Sequence, residues 1–128
     1  MSVDSIIYTR LTTHAGLVAM VSTRTYPVVI PVGATFPLCV YSRVSDVPIT
    51  ELSGPIMLRE SRYQVSCYAV TRPAALAVAE QVVLALHNYA VAGLKQSRFE
   101  NMLEILEDGA GPIGQDLYHV PVDFMIIT

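Results

Sequence analysis

Arg62-Tyr63-Gln64-Val65-Ser66-Cys67-Tyr68-Ala69-Val70-Thr71-Arg72-Pro73 carries the chain out of a strand and into a helix. Tyr63, Val65, Cys67 and Ala69 alternate with Arg62, Gln64, Ser66 and Tyr68, the period of a strand that buries one face. Thr71 is placed to cap a helix with Pro73 in its first turn. That helix runs to about Tyr89, with an inner stripe of Leu76, Ala79, Val83, Leu86 and Ala90. Ala75, Val78, Val82 and Ala85 widen the apolar arc, and polar positions are few: Glu80, Gln81, His87 and Asn88. A helix this apolar packs on a sheet and has surface left for a neighbouring subunit.

Upstream, the strand begins near Met57. Before it, Ser45–Pro55 reads as a long loop containing Pro48, Gly54 and Pro55, and loops of that length tend to carry function. Leu38–Val44 is a strand, with Leu38, Val40 and Val44 on one face and Tyr41 and Arg43 on the other. Arg24–Pro27 leads into a strand, and Val28–Ile30 look extended, ended by Pro31 and Gly33. Asp4 or Ser5 caps a first helix with Ile6, Ile7 and Leu11 on its stripe, and Leu17–Val21 forms a second. Downstream, Gly93 closes the long helix. Arg98–Glu107 alternates as one strand, with Phe99, Leu103 and Ile105 inward and Arg98, Glu100 and Glu104 outward. The last strand turns Tyr118, Val120, Val122, Phe124 and Ile126 inward, and Pro121 suggests an edge or a bulge. The order α-α-β-β-β-α-β-β predicts an α+β fold: an antiparallel sheet of four to five strands with helices on one face.

The chain has 128 residues, which suits a single domain spanning 1–128. Hydrophobic residues make up 52% and charged residues 15%, against about 25% charged in typical soluble domains. So apolar a chain folds, and its surplus apolar surface suits a subunit interface. Net charge is −3, and Lys95 is the only lysine beside seven arginines. With no basic block, a sequence-reading nucleic-acid binder is excluded. The longest apolar run, Ala74–Ala79, is too short to span a bilayer. No secretion signal is visible, since Asp4 stands where a basic segment would be. Cys39 and Cys67 fall in strands and read as buried reduced thiols, although a disulfide between adjacent strands is geometrically open.

The chemistry-bearing patterns are weak. Gly109, Gly111 and Gly114 spell GxGxxG, but a strand follows instead of a helix and Pro112 interrupts, so a hairpin turn fits better than a nucleotide loop. His119 and Asp123 share the outer face of the last strand, a pair suited to general-base work that lacks a nucleophile. Glu100, Glu104, Glu107 and Asp108 form an acidic edge that reads as ion-pairing with Arg59, Arg62 and Arg98 across the sheet. No metal set, cofactor motif or catalytic group emerges, so the chain reads as a non-enzyme.

Several landmarks recur in a familiar order. Ile6-Ile7-Tyr8-Thr9-Arg10-Leu11 precedes the short helix Leu17–Val21. Arg24-Thr25-Tyr26-Pro27, a Pro-rich passage and Phe36-Pro37-Leu38-Cys39-Val40-Tyr41 follow. Then come Leu52-Ser53-Gly54-Pro55, Arg62–Ala69, an alanine-rich helix ending at Leu86-His87, and Leu117-Tyr118-His119-Val120-Pro121-Val122-Asp123-Phe124. This order resembles the tail completion (tail terminator, head–tail joining) proteins of long-tailed bacteriophages. The resemblance implies a virion structural protein, assembled in the host cytoplasm and sited at the head–tail junction. It would form a homo-oligomeric, hexameric ring, cap the tail tube protein and meet the head connector. Genomic DNA would pass through without sequence-specific binding, and no membrane would be involved.

Size permits such a ring. A compact chain of this length behaves as a sphere about 18 Å in radius; six in a ring enclose a hole about 36 Å across, and four only about 15 Å. A net negative chain suits a duct that must not grip phosphate. Two contact regions are expected. One is the 45–55 loop with Val47, Ile49, Glu51 and Leu52, docking on an adjoining ring. The other is a charged face of Arg59, Arg62, Arg98, Glu100 and Glu104, pairing between neighbours. The alternatives are a ferredoxin-like oligomeric enzyme or ligand-binding protein using His119 and Asp123, and another phage head–tail morphogenesis protein.

Overall fold

The computed structural model describes residues 3–51, 54–91, 93–109 and 114–128, with backbone alone for 49–51 and 54–58. The elements are α1 (Val3–Thr13), α2 (Ala15–Val21), β1 (Thr25–Pro27), β2 (Leu38–Glu51), β3 (Gly54–Ala69), α3 (Arg72–Leu86), β4 (Gln96–Met102), β5 (Ile105–Glu107) and β6 (Leu117–Ile127). The strands make one sheet in the order β1-β2-β3-β6-β4, with β5 also on β6. The fold is α+β with its helices on one face, as expected. The sheet is larger than the four to five strands anticipated, having six, and β1 runs parallel to β2 while every other pair is antiparallel.

The core lies between α3 and the sheet. Tyr63, Val65, Cys67 and Ala69 of β3 and Val120, Val122, Phe124 and Ile126 of β6 are buried there, the faces the alternation predicts. Each such valine, leucine or isoleucine stabilises the fold by roughly 1.5–3 kcal/mol relative to exposure. The side chain of Thr71 caps α3 by accepting the N–H of Ala74 at 3.4 Å, with Pro73 in the first turn. The buried stripe of α3 is Ala75, Val78, Ala79, Val82, Ala85 and Leu86, rotated from the expected one. Leu76 and Val83 lie at its margin, and Ala90 is outside the helix and exposed. Small alanines face the sheet because they let α3 approach closely, while Leu84 is left to solvent. The helix ends at Leu86, earlier than Gly93 suggested, where Asn88 takes a left-handed φ of 57°. Arg10 of α1 secures that end: its Nε donates to Ala85 O at 2.7 Å and its guanidinium lies 4.4 Å from the Tyr89 ring centroid.

Three expectations are corrected. First, the 45–55 segment is no loop: β2 and β3 continue as a hairpin to Glu51↔Gly54, with register shifts after Arg43 and Ile49. Pro48 is accommodated because it sits on the sheet edge. It pairs with Arg59, whose backbone N–H and C=O both bond Thr128, away from β2. The backbone groups of Pro48 therefore face the open side, where no donor is needed. Second, the strand expected over 98–107 is two strands. β6 lies between β3 and the β4–β5 row, so Pro121 is not on an edge strand. Its carbonyl accepts the Leu103 N–H at 3.1 Å, and a residue's N–H leaves a strand on the same side as its C=O. The missing donor of Pro121 therefore falls where the row breaks, and Leu103 and Ile105 end exposed instead of inside. Third, Val28–Ile30 do not extend β1: Val28 has φ +65°. Cys39 and Cys67 stand directly opposite across β2–β3, both buried and free.

Candidate interaction surfaces

The sheet's second face carries no helix. Its cross-strand rows change character along the strands. Leu38, Tyr68, His119 and Ile105 form one row, and Ser42, Gln64, Asp123 and Asn101 another. Further along lie Ser45, Arg62, Met125 and Arg98, then Val47, Glu60, Ile127 and Gln96. The face thus grades from aromatic and apolar to charged.

At the aromatic end, His119 stacks on Tyr68 with ring centroids 4.2 Å apart and planes 15° from parallel. Its Nδ1 lies 3.3 Å from Glu107 Oε1 without hydrogen-bond alignment. Burial pushes the imidazole pKa down, and the Glu107 carboxylate opposes that only in part. Burial also raises the Tyr68 phenol, with Glu107 adding to the effect. Asp123 accepts from Gln64 Nε2 at 3.1 Å and faces Arg62 at 3.8 Å, so the His119–Asp123 pair of the enzyme alternative is not formed.

The charged residues singled out in the sequence are distributed over separate sites. Arg62 and Arg98 share one row of the open face, with Met125 between them. Arg98 pairs with Glu100 at 2.6 Å, and Glu100 sits where the β4–β6 register shifts. Glu104 lies in the break between β4 and β5 and pairs with Arg72 at 2.9 Å. Arg59 is on the hairpin and pairs with Asp46. Exposed pairs of this kind contribute about 0–1 kcal/mol each, so they exchange partners at little cost. Val47 is exposed on β2. Ile49 and Glu51 have their backbones in the hairpin, with side chains outside the described residues; Leu52 lies wholly outside them, as does Gly111 of the glycine cluster.

Sequence reading missed the network that aims the hairpin. Tyr63 donates to Asp4 and accepts from Arg43 Nε at 3.0 Å, and Arg43 reaches Asp46 at 3.7 Å. Asp46 in turn accepts from Ser61 Oγ at 3.0 Å and pairs with Arg59. Burial, with the Asp4 carboxylate adding, pushes the Tyr63 phenol up to about 12. No sequence spacing announces such partners, since the six residues come from three separate elements, α1, β2 and β3.

A cleft of about 180 Å³ opens at the β4–β5 edge, lined by Ala75, Ile105, Leu106, Tyr118, His119 and Val120 together with the Arg72–Glu104 ion pair. Sites for drug-sized ligands usually measure about 300–1,000 Å³. Among the described residues, no group of three or more His, Cys, Asp or Glu is placed to hold a metal ion. No described helix is long and apolar enough to cross a membrane. What this surface offers is contact area, projecting backbone and exchangeable charge.

Residues 5–128 match the family model described as Tail completion protein gp17. Among solved structures, a chain from the virion of a native gene transfer agent (GTA) particle is similar, with a TM-score of 0.69 at 17% identity. The likeness covers 98% of this chain and 93% of that one, and it shows a shared fold. No curated protein matches.

Proposed function

Because the chain belongs to the Tail completion protein gp17 family, a family of phage tail structural proteins, we propose that it closes the head-proximal end of a tail tube as a hexameric ring and joins it to the head connector. Genomic DNA passes through the ring without being gripped, in keeping with a net charge of −3 and a single lysine. The whole of 1–128 acts as one unit, assembled in the host cytoplasm, and it works by binding with no reaction.

The outer end of the β2–β3 hairpin carries this reading. β2 and β3 stay paired out to Glu51↔Gly54, but β6 joins β3 only from Glu60 inward, with Arg59 bonded to Thr128. From Leu58 outward the hairpin is a two-stranded ribbon. Such ribbons are marginal in water and gain stability on docking. Val47, Ile49, Glu51 and Leu52 are the positions assigned to that contact, with the tail tube or an adjoining ring as partner. Arg59, Arg62, Arg98, Glu100 and Glu104 are assigned to contacts between neighbouring subunits, where their present ion pairs are exchanged.

Electron microscopy of particles assembled without this chain tests the proposal. Overlong or unjoined tails are expected, cured by supplying the chain, with six-fold density at the head-proximal end of the cured tails. Joined tails of normal length in its absence would overturn it.

A further inference from the structure

The two edges of the sheet carry dissimilar apolar surfaces. At the β1–β2 edge, the segment 28–37 leaves the sheet and returns. From Thr25 to Ser42 it and its flanks contain no charged residue. Val28, Val29 and Val32 are exposed, at 71, 68 and 106%. The segment is held at its base: Arg24 Nε donates to Pro37 O at 2.9 Å, and Val28 N–H to Tyr41 O at 3.0 Å. Val29 N–H also bonds Pro27 O at 2.7 Å, closing a three-residue turn around Val28 at φ +65°. A branched side chain in that region is strained by roughly 1–3 kcal/mol. The hydrogen bonds hold the turn against that strain and leave two adjacent valines exposed.

At the opposite edge, Leu103, Ile105 and Leu106 are exposed beside the 180 Å³ cleft. The charges lining that cleft, Arg72 and Glu104, already neutralise each other at 2.9 Å. An uncharged knob suits a seat with no net charge, because neither leaves an ion unpaired on burial.

We propose that these surfaces are the two halves of one subunit contact: the Val28–Val29–Val32 knob of one copy seats in the Ile105–Leu106 cleft of the next. The sheet order puts knob and cleft on opposite edges of the same protomer. Head-to-tail ring closure needs two different complementary patches on each subunit. A foreign partner would cover one patch and leave the other in water. The contact deepens the ring reading above and rests on it.

The test is bismaleimide cross-linking in assembled tails that carry Val29→Cys with Leu106→Cys, or Val32→Cys with Ile105→Cys. All four positions are exposed, so the substitutions leave the core intact, and melting of each purified variant checks this. At least one pair should give a covalent ladder of multiples of the chain, ending at the closed ring, while each single substitution gives none. Ring density at the tail end with no ladder from either pair would overturn this contact and leave the ring standing. Absence of the chain from tail ends, or a non-ring arrangement there, would overturn the functional reading and this contact with it.

Discussion

The Tyr63 hydroxyl joins Asp4 to Arg43, donating to a carboxylate 59 residues away in sequence and accepting from Arg43 Nε at 3.0 Å. The ring is fully buried, so its hydroxyl has no water to fall back on. Through Arg43 and Asp46 the link runs on to Arg59 and Ser61, and so ties the start of α1 to the root of the hairpin.

Tyr63→Phe should therefore lower stability by about 1–3 kcal/mol, measured by urea unfolding. Tyr63 also sets an alkaline limit. Its folded-state pKa of about 12 exceeds the ordinary value of 10.0. Its contribution is then full below pH 10 and is lost as pH rises toward 12. The phenylalanine variant should lack that loss. An unchanged alkaline profile in the variant would remove Tyr63 as its source.

Pro121→Val restores a backbone donor opposite Leu103, whose own N–H already bonds residue 121. The expected result is one continuous strand over 96–107 with increased amide protection at Leu103–Ile105. Stability should change by less than about 1 kcal/mol, since one hydrogen bond is gained and a rigid residue lost. Unchanged hydrogen exchange would show that the break has another cause.

His119 should make the fold acid-sensitive. Burial holds its folded-state pKa below the ordinary 6.5. The unfolded chain thus takes up the proton first, and stability falls as pH drops below 6.5 until the folded-state value is reached. His119→Phe keeps a ring against Tyr68 and should flatten that slope. Urea midpoints at pH 7.5 and 5 for both proteins, compared as a difference, isolate it from His14 and His87.

Deleting residues 47–52 should leave the body folded, because the buried core residues of β2, Cys39 and Tyr41, and those of β3, β6 and the helices all lie outside the deleted stretch. Particle yield should fall by orders of magnitude while the melting temperature shifts by only a few degrees. Normal yield of infectious particles would rule the hairpin out as the docking element.

Periodicity and local capping were enough to identify the faces of β3 and β6, the Thr71 cap and the α+β layering. Each depends on residues within a few positions of one another, where strand and helix geometry leave few choices. Tertiary pairing decided the rest. Ser45–Pro55 looks like a loop because proline and glycine mark turns. It extends as strand because the edge position spares Pro48 a partner and β3 supplies a ladder. The break before Ile105 was invisible because its cause, Pro121, lies 16 or more residues downstream on another strand. Ion-pair partners were equally hidden: Asp4, Arg43 and Asp46 meet only after α1, β2 and β3 have docked. Sequence patterns record which side of an element is apolar; which element lies beside it is set by pairing energies between distant segments.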